Sequence, residues 1–262
     1  MPQDLYAQLL RCTQQPAQVS KVILGLNWTL AEVALDGGKS YGLCFSPQDA
    51  PRVLTWPGTL VGKPAAELGP WLSHWDACEA AVGGAVSNAV INHRSASLAQ
   101  AQLLPAVAHI PPHLAVFAHF APHVQGTKVV VIGSYPGLEA SGLLGDFTCL
   151  ERRPRPGELP DTAAESILPQ AEWVFITASS IANKTLPRLL TLSARARVVL
   201  MGPSVPWLYN WQAYGVDYVA GVAIKDPEAL SQTLIEGGGT RIFSQGVGYC
   251  VYATGRVRGD QA

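Results

Sequence analysis

The chain has 262 residues, 48% hydrophobic and 14% charged, with a formal net charge of −1. That length favours two domains, and that apolar share excludes intrinsic disorder. The near-neutral balance and the absence of any basic run argue against nucleic acid or an anionic membrane surface as a partner.

Every apolar stretch is broken by Gly, Pro, His or Asn within about ten residues, short of the roughly 20 that a spanning helix needs. The start, Met1-Pro-Gln-Asp, has neither the basic nor the apolar region of a signal peptide, so a cytoplasmic location is expected. Cys12, Cys44, Cys78, Cys149 and Cys250 form no CxxC pair and are odd in number; they read as reduced, mostly buried small hydrophobes.

Residues 4–15 predict a helix with Leu5, Leu9 and Leu10 on one side. Segments 22–30 and 32–35 read as short strands, Asp36-Gly37-Gly38 as a hairpin turn and 41–45 as the returning strand. A short helix is expected at 65–68 and a long one at 77–92, where Val82, Val86 and Val90 recur every four residues. Gly83-Gly84 in that helix predicts close approach by another backbone or a ligand, since Gly costs about 1 kcal/mol against Ala in a helix interior.

Residues 105–126, rich in proline and histidine, read as an irregular linker. It separates an α+β domain at 1–104 from a domain at 127–262 in which strands and helices alternate. Strands are expected near 128–132, 147–151, 172–177, 197–201 and 218–221. Helices are expected at 138–144, 162–168, 184–193, 206–213 and 226–236. Continuous apolar strands alternating with helices imply a doubly wound parallel sheet of Rossmann-like class.

Ligands of such sheets sit beyond the carboxyl ends of the strands. That rule selects Gly133 and Pro136 after the first strand, Glu151 and Asp161 after the second, Thr177, Asn183 and Thr185 after the third, and Gly202 and Ser204 after the fourth. Gly133–Gly137 is not GxGxxG, and Pro136 removes an amide that could cradle a pyrophosphate. Glu151 stands where a carboxylate often holds a ribose, or else it is a solvated strand end; Asp161 also suits an N-cap. Ser204 lacks the GxSxG context of a nucleophile. From the first domain, Glu79 and Asn88 point to opposite faces of one helix. Asn88 is the better candidate, because a buried amide must find a partner. Gly237-Gly238-Gly239 exceeds what a helix cap needs and suggests a hinge or a ligand-facing loop. His93, His109, His113, His119 and His123 cluster without an acidic residue among them, and prolines interrupt their helical spacing; the linker reading outweighs a metal site.

Glu151-Arg-Arg-Pro-Arg-Pro-Gly-Glu-Leu-Pro-Asp161, Thr177 through Asn183-Lys-Thr185, Leu200-Met-Gly-Pro-Ser204 and Gly237-Gly-Gly-Thr-Arg241 resemble the DUF364 family, described as "putative heavy-metal chelation". Gly25-Leu-Asn-Trp-Thr29 and Glu79 through Ala89 look like its companion DUF4213 domain. The resemblance implies an enolase-N-terminal-like α+β domain joined to a Rossmann-like domain, with a site between them and a link to metal handling. The expected function is binding of a small molecule or metal chelate in an interdomain cleft, with a divalent heavy metal as the implied cofactor. The alternatives are an enzyme using a nucleotide-type cofactor, S-adenosylmethionine or a dinucleotide, and a non-catalytic sensor of a small anion or metabolite; self-association stays open.

Overall fold

The computed structural model describes residues 2–49 and 53–257. Strands β1 (Ala17–Leu24), β2 (Trp28–Leu35) and β3 (Gly38–Phe45) form an antiparallel meander. Asp36-Gly37 is its two-residue turn, with Leu35 paired to Gly38. The β1–β2 turn lies at 25–27, inside the segment 22–30 that the apolar run suggested was one strand. Gly25 closes it by donating to the Trp28 carbonyl.

The helix Ala77–Asn92 lies across this meander, buried from Ala80 through Ile91. Asp76 caps it by accepting from the amides of Cys78 and Glu79. The close approach expected at the glycine pair is present. A Cβ on Gly83 would collide with the Leu72 backbone nitrogen, and one on Gly84 would lie 2.9 Å from the Cys44 thiol. The first helix spans Pro2–Cys12 and seats Leu5 and Leu9 in the core.

The second sheet has eight strands. They are β4 (Gln102–Leu103), β5 (Val129–Ile132), β6 (Phe147–Glu151), β7 (Leu159–Pro160), β8 (Trp173–Thr177), β9 (Arg197–Met201), β10 (Tyr218–Ile224) and β11 (Val247–Ala253). Their order is β4-β11-β10-β9-β8-β5-β6-β7. All neighbours from β10 to β7 are parallel, while β11 runs antiparallel to both β10 and β4. The five expected strands are therefore present and parallel, and the order reverses between β5 and β8. Both faces are buried: Val130, Ile132, Val174 and Leu200 join one apolar cluster, Val129, Val131, Phe175 and Met201 the other.

Two further expectations differ from the structure. The second half of the 105–126 segment is a helix, Ala115–Val124, that contains Pro122. Phe117 and Phe120 anchor it, with ring centroids 5.3 and 5.8 Å from Phe175; this packing outweighs the cost of an interior proline. The helix expected at 206–213 is absent; only a 3-10 turn forms, at Trp211–Tyr214. Trp207 and Trp211 are buried there, and their indole N–H groups donate to the carbonyls of Val222 and Pro206.

Candidate functional site

The carboxyl edge of β5 and β6 carries an open groove of about 380 Å³. Gly133, at a φ of 103° that side-chain-bearing residues rarely adopt, turns the chain out of β5 into the Ser134–Gly137 loop. Glu139, Asp146 and Glu158 line the groove with Cys149, Pro136 and a single cation, Arg155. The His113 Nε2 lies 2.9 Å from the Pro136 carbonyl at the same loop.

Two carboxylates organise this edge from beneath. Glu151 Oε2 accepts from the Ser134 amide at 2.9 Å, and Oε1 accepts from the amides of Arg152 at 2.8 Å and Arg153 at 3.3 Å. Glu158 accepts from the Ser134 hydroxyl at 2.6 Å and the Arg155 amide at 2.8 Å. Partial burial opposes the charge on Glu158, but those hydrogen bonds and the Arg155 guanidinium prevail and hold its pKa below the ordinary carboxylate value. The Cys149 thiol is pushed up to about 12, by burial first and then by the carboxylates of Glu158 and Glu151. The Tyr135 hydroxyl is buried beside Thr177, and burial raises its pKa.

The structure divides the residues selected from sequence among several places. Gly133 and Pro136 line the groove, and Glu151 braces it. Asp161 lies 3.5 Å from the Arg152 guanidinium just outside it. Thr177 packs against Gly133, and its hydroxyl pairs with Ser179 at 3.1 Å. Asn183 accepts from both the amide and the hydroxyl of Thr185, a local turn at the start of the Leu186–Leu192 helix. Glu79 meets His74 at 2.7 Å.

Asn88 and Ser204 meet in the seam between the two sheets. Asn88 donates to the carbonyls of Leu43 and Ser204, and the Ser204 hydroxyl accepts from the Phe45 amide. Gly202 is buried beside them and donates to the Ala220 carbonyl. The seam therefore closes to a void of about 10 Å³, room for a single water at most. The expected cleft does not open at Asn88 and Ser204, where hydrogen bonds cross the seam, and the wider groove lies on the sheet edge. The triple glycine is likewise turned inward, because Asn27 and Trp28 donate to the carbonyls of Gly237 and Gly239.

Sequence reasoning missed Ser134, Glu139, Asp146, Cys149, Arg155 and Glu158 as groove residues. Pro154, Pro156 and Gly157 were the available signal, since they fold the 152–158 loop back toward β5. Arg153 secures that loop to the segment after β3 through Asp49 and Gln48.

Among the described residues no three His, Cys, Asp or Glu side chains converge to hold a metal ion, so the donors present do not fit a metal held by protein ligands alone. No described helix is long and apolar enough to cross a membrane.

The family model of DUF364, "Putative heavy-metal chelation", matches residues 115–253, and that of DUF4213, with the same description, matches 6–91. A DUF364 protein of unknown function from Desulfitobacterium hafniense DCB-2 superposes with a TM-score of 0.80 at 26% identity, over 96% of this chain and 98% of that one. Another, from Pyrococcus horikoshii, gives 0.73 at 18% identity, over 95% and 98%. Likeness to an enolase-superfamily member from Polaromonas sp. JS666 is slight, with a TM-score of 0.28 at 13% identity over 71% and 66%. A search of curated proteins finds no significant match.

Proposed function

The chain belongs to the DUF364 family, and from that premise we propose that it binds a cationic small molecule, a metal chelate above all, in the groove at the carboxyl edge of β5 and β6. One observation carries the reading: three carboxylates, Glu139, Asp146 and Glu158, face one open groove against a single guanidinium, Arg155. A concave site with an excess of one charge sign concentrates ligands of the opposite sign. With only Cys149 and scattered carboxylates as donors, the metal arrives with its organic ligand, which supplies most of the coordination. Here the metal is cargo.

Five free cysteines suit a reducing, cytoplasmic setting, and an acidic groove on a chain of net charge −1 suits neither nucleic acid nor phosphate-rich surfaces.

Thermal shift tests the reading with three probes at equal metal concentration: nickel(II) alone, its cationic terpyridine complex, and its anionic complex with ethylenediaminetetraacetate. The cationic complex should raise Tm most and the anionic one not at all. Equal shifts from both complexes, or none from the cationic one, would overturn it.

A further inference from the structure

In a doubly wound sheet, two features equip the first crevice for nucleotides. Amides of the first loop hold phosphate, and a carboxylate ending the second strand holds the ribose hydroxyls. Both features are present here, yet the carboxylate takes the first amide of the loop. The carboxylate is Glu151, at the end of β6, and its Oε2 takes the amide of Ser134, the first loop residue after Gly133. Its Oε1 takes the amides of Arg152 and Arg153. The rest of the loop offers little in exchange. Pro136 has no N–H, the Leu138 amide donates to the Tyr135 carbonyl, and the helix that follows, Leu138–Ser141, is a single turn.

Charge points the same way. Arg152, Arg153 and Arg155 would make the β6 loop attractive to phosphate. Arg152 lies beside Asp161, Arg153 pairs with Asp49, and the Arg155 guanidinium acts on the nearby Glu158 carboxylate.

We propose that Glu151 is a built-in anion: its carboxylate occupies the amide cradle a phosphate would need, closing the crevice to nucleotides and phosphates and leaving the groove to cationic ligands. The inference rests on the groove reading above but concerns a different set of contacts. Cation binding depends on Glu139, Asp146 and Glu158, whereas anion exclusion depends on Glu151 and the three amides it holds, so either can fail alone.

Calorimetric titration of inorganic pyrophosphate tests it, using wild type, Glu151→Ala, Glu151→Gln and Asp146→Asn. Wild type should give no binding heat. Glu151→Ala frees three amides and removes one negative charge, so its affinity for pyrophosphate should exceed wild type by about tenfold or more, the scale of one charge-assisted hydrogen bond. Glu151→Gln keeps one acceptor oxygen and should gain less. Asp146→Asn removes a groove charge but frees no amide, and should stay silent. Circular dichroism establishes that each variant is folded, and if the alanine variant is not, the glutamine variant is judged by the same criterion. The proposal is overturned if wild type binds pyrophosphate as well as the Glu151 variants do, if a folded Glu151 variant stays silent, or if Asp146→Asn gains as much.

Discussion

The Asn88 side-chain amide donates to the Ser204 carbonyl at 2.9 Å across the seam between the two sheets, and its second N–H reaches the Leu43 carbonyl at 2.7 Å. Asn88 is buried, so replacing it strands two carbonyls away from water. Asn88→Ala should therefore cost about 2–4 kcal/mol, taking roughly 1–3 kcal/mol for each unsatisfied group and allowing for partial relaxation. Chemical denaturation reads this directly; an unchanged midpoint would show that the seam is not held by this residue.

The glycine pair in the long helix should behave unequally. Gly83 faces the backbone at Leu72, which cannot move without shifting its whole segment, whereas Gly84 faces the end of the Cys44 side chain. Gly83→Ala should lose about 2–3 kcal/mol by overpacking, and Gly84→Ala clearly less, because alanine's higher helix propensity offsets a softer clash. The order of the two denaturation midpoints decides it, and a Gly83→Ala midpoint at or above that of Gly84→Ala contradicts the packing described.

Much of this architecture is legible in the residues. Val129–Ile132 carries no polar side chain, and only a strand covered on both faces accepts that. The turn at Asp36-Gly37 and the helix from Ala77 follow from local chemistry. Other features are invisible locally. The Ala115–Val124 helix survives Pro122 because Phe117 and Phe120 meet Phe175, more than fifty residues away. The groove was legible only at Gly133 and Pro136. Glu158 reaches Ser134 across 24 residues because the intervening loop folds back, and no spacing rule encodes that contact.

Glu151 should also act as a brace. Its carboxylate accepts three backbone amides, and hydrogen bonds to a charged group are worth about 1.5–3 kcal/mol. Glu151→Ala should lower stability by about that amount and Glu151→Gln by less, as read from urea midpoints at neutral pH. Equal, negligible losses in both would show that the loops hold themselves.

Acid should expose the Glu158 contribution. Its folded pKa lies below the ordinary value of 4.5, so its contribution to stability is complete above that value and is lost as the pH falls through the lowered folded one. Wild type should therefore lose stability on acidification through that window more steeply than Glu158→Gln. Parallel acid limbs for the two proteins would remove the assignment.

The acidic groove is proposed to take a cationic chelate. Calorimetric titration of nickel(II) terpyridine into wild type, Glu158→Gln and Asp146→Asn tests this most directly. Binding to wild type should be saturable, weakened about tenfold by loss of either groove carboxylate, and reduced by added salt. Wild-type protein that does not bind the complex, or groove variants that bind it as tightly as wild type, would contradict it.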